Sequence, residues 1–169
     1  MKEFITVLFF VLLNGVMIVC VAQQESLSPD LKAAALRDAA CPRPADAQDN
    51  APDFAALPIR SGGREVGTIV EVQGTCHCQN ANCDALVYLG SGDGYRLALR
   101  AKYASLHPMK IVKRGMPSLT GKFEVSSFKM ETTVYDWDGK SYKPSLCATV
   151  VKGKRVPIIT QHPCKPLSQ

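Results

Sequence analysis

Six cysteines, Cys41, Cys76, Cys78, Cys83, Cys147 and Cys164, constrain this chain more than any other feature. A seventh, Cys20, lies inside an apolar N-terminal run from Phe4 to Val21. That run follows a charged start, is broken only by Asn14 and Gly15, and ends in Cys20-Val21-Ala22 before Gln23-Gln24. These are the parts of a secretory signal peptide and predict cleavage between Ala22 and Gln23. The run is near the lower length limit for crossing a bilayer and its centre is weakened, so residues 1–22 read as a leader rather than an anchor. Val19 is bulkier than the tiny residue that lipoprotein signals place before a lipidated cysteine. Removing the leader leaves an even set of cysteines in a secreted or periplasmic chain. An oxidising compartment makes three disulfides the natural expectation.

The rest of the chain reads as one domain of α+β, mostly β class. Ser28-Pro29-Asp30-Leu31 is a helix start: serine caps the orphan amides, proline suits the first turn, and aspartate complements the dipole. Lys32 to Ala40 favours helix, with Leu31, Ala35 and Ala39 on one face, but so short a helix must dock to persist. Residues 42–58 hold Pro42, Pro44, Pro52 and Pro58 and read as an irregular arm, anchored by Phe54 and Leu57 and tied down through Cys41. The arm and helix thus occupy residues 23–60, and a β-rich domain follows over 61–169.

Within that domain, strands are predicted over Gly67 to Gln73, Ala85 to Leu89, Tyr95 to Leu99, Lys110 to Lys113, Lys122 to Ser126, Glu131 to Trp137, Ser141 to Val151 and Val156 to Thr160. Tyr95, Leu97 and Leu99 alternate with Arg96 and Arg100. Ser91-Gly92-Asp93-Gly94 and Asp138-Gly139 are hairpin turns. So many short strands predict an antiparallel twisted sheet or a small barrel stapled by disulfides. No later segment is long and apolar enough to span a membrane.

The densest chemical feature is Thr75-Cys76-His77-Cys78-Gln79-Asn80-Ala81-Asn82-Cys83-Asp84. Thiolate and imidazole suit zinc or copper(I), but metal modules pair two cysteine knuckles and only one is present here. Redox enzymes use Cys-x-x-Cys at a helix start, and Cys76-His77-Cys78 has neither the spacing nor the helix. Structural disulfides are therefore expected, with no metal or other cofactor. In extended backbone Cys76 and Cys78 point the same way. One would close a tight loop on Cys83, and the other would reach Cys147, Cys164 or Cys41.

Asp136 to Ser141 has the alternating oxygens of a calcium loop but lacks its acids and carries Lys140, so it reads as a hairpin tip. The three histidines, His77, His107 and His162, form no metal-binding pair pattern, and no nucleophile elbow or phosphate loop occurs. Nothing argues for an enzyme. Aromatics interleave with Arg96, Lys140 and Lys143 as in single-strand nucleic-acid binders, but an exported chain implies no such partner. From Ser61 onward the charge is net +7, against −2 for residues 23–60, so the β-rich domain is basic, and its lysines form no dense run.

The order strand, cysteine-bounded polar loop, apolar strand (Val70 to Gln73, Cys76 to Cys83, Ala85 to Leu89) resembles the layout of small periplasmic proteins of the lysozyme-inhibitor type. In that family a cysteine-closed loop protrudes and plugs the active site of its target. The resemblance covers roughly residues 66–100. The loop lacks the Cys-Lys-Pro-His-Asp-Cys motif of the vertebrate-lysozyme inhibitors, and a basic domain is poorly matched to a basic lysozyme. The implied function is binding or inhibition of a macromolecule through His77, Gln79, Asn80 and Asn82. The alternatives are a metal or redox protein built on the same cluster, or a structural envelope protein. Zero free thiols and no bound metal would separate the first from the second.

Overall fold

The computed structural model describes residues 27–39, 52–74, 76–91, 94–153 and 156–164. Among these described residues one helix, α1 (Pro29–Asp38), is followed by ten strands: β1 (Asp53–Ser61), β2 (Arg64–Gln73), β3 (Cys78–Gln79), β4 (Asn82–Ser91), β5 (Gly94–Tyr103), β6 (Ser105–Lys113), β7 (Met116–Ser126), β8 (Lys129–Trp137), β9 (Tyr142–Val151) and β10 (Ile158–His162). They form two five-stranded antiparallel sheets rather than a closed barrel. In the first, β1, β2 and β4 run in order, β3 pairs the start of β4, and β5 pairs its other side. The second is a meander, β10-β9-β8-β7-β6. Ala104 is the single residue between β5 and β6, so the chain turns a corner and changes sheets there.

The layering follows from the two faces of the central strands. Ile69, Ala85, Val87 and Leu89 point into the core between the sheets, against Leu119, Tyr135, Trp137 and Tyr142. Their neighbours Val70, Val72, Leu86 and Tyr88 point the other way and are covered by Leu31, Ala34 and Ala35 of α1. Burial on both faces explains why Ala85-Leu86-Val87-Tyr88-Leu89 is a continuous apolar run rather than an alternating one. Burying Leu31 contributes on the order of 2 kcal/mol, which is what a ten-residue helix needs to persist. The Ser28 hydroxyl accepts from the Leu31 amide at 3.2 Å, and Asp38 accepts from the Tyr88 hydroxyl at 3.0 Å.

Two local devices shape the sheets. Gly121 lies flat against the Tyr103 ring, where a Cβ would sit 2.7 Å from it. That close approach lets the Tyr103 and Tyr135 hydroxyls meet in a hydrogen bond between the sheets. Burial pushes the Tyr135 and Tyr88 hydroxyls well above the ordinary phenol range and Tyr142 up to about 12. The second device is a bulge in β5 opposite Val87 and Tyr88. Tyr88 pairs Leu97 and Val87 pairs Leu99, leaving Ala98 as the extra residue. Leu99 therefore turns into the inter-sheet core while Tyr95 and Leu97 remain about a third exposed. The simple alternation expected for Tyr95, Leu97 and Leu99 is broken by this insertion.

The arm expected over residues 42–58 ends differently. Residues 53–61 are the edge strand β1, registered on β2 with Phe54 opposite Val72 and packed on the helix-side cluster. Proline at position 58 is tolerated because β1 is an edge with a bulge beside Ile59. The leader, Cys41 and residues 92–93 of the first predicted turn lie outside the described residues. Among the described residues no helix is long and apolar enough to cross a membrane.

Candidate functional site

The cysteine-rich segment folds as a short hairpin of β3 and the start of β4. Gly74 begins it: its carbonyl accepts from the amides of His77 at 3.0 Å and Cys78 at 2.9 Å, turning the chain back. Cys78 then lies directly opposite Cys83, and Gln79 opposite Asn82. The Cys78–Cys83 disulfide bridges that facing pair, with Cα atoms 3.9 Å apart. Only Asn80 and Ala81 remain for the turn, with φ of 50° and 65°. Left-handed backbone at both central positions is the hairpin turn whose twist matches the strands. Asparagine tolerates that region; alanine is strained there by its Cβ.

A third constraint comes from the opposite sheet. The Asn82 side chain is 1 % exposed. Its amide donates to the Glu124 carbonyl at 2.8 Å and the Asn80 carbonyl at 3.1 Å, and its oxygen accepts from the Glu124 amide at 2.7 Å. Asn82 thus copies a strand's backbone pairing and pins the hairpin to β7. Beside it, His77 Nδ1 donates to the Asp84 carboxylate at 3.0 Å, and Lys102 approaches the other Asp84 oxygen at 3.8 Å. The His77 and Asp84 side chains are only 12 % and 5 % exposed.

Of the residues singled out from sequence, Gln79 and Asn80 are exposed at the tip, joined there by Ala81. Asn82 faces inward as a clamp and His77 is held against Asp84, so neither is free to meet a partner. Glu124, Asp84 and Lys102 were not legible as part of the site. Asp84 alone carried a signal, its place immediately after the bridging Cys83.

The cysteines resolve one expectation. Cys78 closes the tight loop on Cys83, and Cys147 pairs with Cys164 across a separation of 17 residues. Cys76 is disulfide-bonded too, and to neither of the latter two. Sulfurs joined in this way are not thiolate ligands. Among the described residues no group of three His, Cys, Asp or Glu side chains is placed to hold a metal. The Asp136 to Ser141 segment is a hairpin tip, with Asp138 accepting from the amides of Lys140 and Ser141 at 2.7 Å. A scan against family models, a search of curated proteins and a search of solved structures each return no match.

Proposed function

We propose that this is an exported binding or inhibitor-like protein that presents the Cys78–Cys83 hairpin to a macromolecular partner. The observation that supports it is the threefold fixing of that hairpin by its bridge, its left-handed turn and the Asn82 clamp. A loop frozen before binding loses little entropy on docking, so its contacts count more fully toward affinity. The tip offers uncharged amides, Gln79 and Asn80. Next to the clamp, β7 exposes Val125 at 43 %, and the β7–β8 turn exposes Phe128 at 68 %. An aromatic anchor beside a rigid polar loop is the composition of a protein-binding patch. The lysozyme-inhibitor layout agrees with this reading, without the motif that would name a lysozyme as target.

The test is capture of partners from envelope and host extracts by the mature protein. Gln79→Arg together with Asn80→Gly preserves the turn and replaces the tip. That pair, and separately Phe128→Ala, should each reduce capture of the same partner at least tenfold with unchanged thermal stability. Unchanged capture by both variants overturns the assignment.

A further inference from the structure

The end of the sandwich opposite the disulfide hairpin has three hairpin tips and the start of β5 laced together. The Ser61 hydroxyl donates to the Gly115 carbonyl at 2.9 Å, joining the β1–β2 and β6–β7 tips. Arg114 donates to the Asp138 carbonyl, joining β6–β7 to β8–β9. Arg96, early in β5, donates to the Lys140 carbonyl at 2.6 Å and stacks 5.7 Å over Trp137. Both arginines are held by backbone carbonyls, not carboxylates, so their charge is oriented but not neutralised. The acids nearby are already occupied. Asp136 accepts from Lys113 at 2.5 Å and Ser118 at 2.6 Å, while Asp138 is consumed by its own turn. A cleft of about 470 Å³ is lined by Lys113, Arg114 and Lys143 together with Asp136, Asp138 and Trp137, three cations against two acids. Arg64 at the neighbouring tip adds to the positive field, while Arg60 is offset by Glu65, its register partner.

The same pole carries apolar side chains that the core does not use. Along β6 the register with β7 breaks between Pro108 and Val112. Ile111 and Val112 stand 54 % and 52 % exposed, with Lys110 before them and Lys113 and Arg114 after. Lys113 is neutralised by Asp136, but Lys110 and Arg114 have no ion pair among the described residues. Apolar residues projecting beside such cations match the two parts of an anionic bilayer surface, the acyl boundary and the headgroup charge. A soluble polyanion would use the cations and leave Ile111 and Val112 in water. Single-stranded nucleic acid would want an exposed stacking ring, and Trp137 is 9 % exposed.

We infer that this pole docks the protein on an anionic lipid surface, independently of what the disulfide hairpin binds. The cations supply long-range attraction, and Ile111 and Val112 enter the interface at the β6 edge. The experiment is flotation of the full secreted protein with vesicles of phosphatidylglycerol and phosphatidylcholine, against phosphatidylcholine alone. Binding is expected only to the mixed vesicles and should fall as salt rises. Arg114→Gln with Lys143→Gln should weaken it about 25-fold, at about fivefold per cation. Ile111→Ser with Val112→Ser should weaken it about tenfold while retention on heparin is unchanged. Lys129→Ala with Lys152→Ala, at the opposite pole, should leave it as it was. Equal binding to neutral vesicles overturns the inference, as does an equal loss in the opposite-pole variant. So does retention on heparin or duplex DNA without any vesicle binding.

Discussion

The two poles of this sandwich are made from the same part, the antiparallel hairpin, and are stiffened in opposite ways. At one pole a single hairpin is fixed from within, by a bridge between facing residues and by a buried asparagine reaching the other sheet. Its tip is uncharged. At the other pole three tips and the start of β5 are held together by exposed side-chain bonds to carbonyls, and their surface is rich in cations. The first arrangement places its restraints in the interior, where each broken bond leaves an unsatisfied group. The second places them in water, where a lost bond is replaced by solvent. A rigid neutral tip suits one shaped partner, and a loosely laced basic surface suits a partner defined by charge.

The largest expected effect lies in the asparagine clamp. Asn82→Ala should cost about 3 kcal/mol by denaturant unfolding, because it removes a buried side chain and leaves the part-buried Glu124 amide and carbonyl without their partner. Arg114→Gln at the basic pole should cost under about 0.5 kcal/mol by the same measurement, its partner being hydrated. Equal losses would erase the contrast. Next, Cys78→Ala with Cys83→Ala should cost about 2 kcal/mol, the modest value that suits so short a closed loop.

A smaller change has the opposite sign. Ala81→Gly relieves a left-handed alanine and should raise stability by about 1 kcal/mol, read as a higher melting temperature. If it lowers stability instead, the turn is not strained as described. The smallest effect belongs to the basic pole in acid. The amides of Ser141 and Lys140 hold the Asp138 carboxyl below the usual range. Asp136 is also held low, since hydrogen bonds from Lys113, Ser118 and Ser145 outweigh the opposing effect of burial. A carboxyl lowered on folding contributes stability above its unfolded value, near pH 4, and loses it as pH falls through the folded value. Asp138→Asn should therefore flatten the decline in melting temperature below about pH 4, by lowering it slightly at neutral pH and leaving it nearly unchanged in acid.

Much of the architecture could be read from residues whose signal is local. Ser28-Pro29-Asp30 capped α1 as expected, and Asp138-Gly139 turned β8 into β9. The run from Ala85 to Leu89 announced a strand, although that its two faces serve different layers needed the helix in place. What stayed hidden depends on distant partners. The Pro58 edge strand exists because β2 offers a ladder to pair with, and proline counts against a strand when the segment is read alone. The β5 bulge reversed Leu99 through one extra residue opposite β4. At the site, Gln79 and Asn80 were legible as a loop tip, because a short polar stretch between bridged cysteines has nowhere to go but outward. Asn82 was not, because its inward turn is set by Glu124, 42 residues away.

The Cys147–Cys164 bridge has a consequence for what a protease can do to this chain. It joins Cys147 of β9 to Cys164, two residues past the end of β10, so it closes a loop that contains the whole connection between them. A protease that cuts this connection therefore releases nothing: β10 stays leashed to β9 and can reseat. Nicked molecules would migrate as uncut protein until a reductant frees the piece that carries β10.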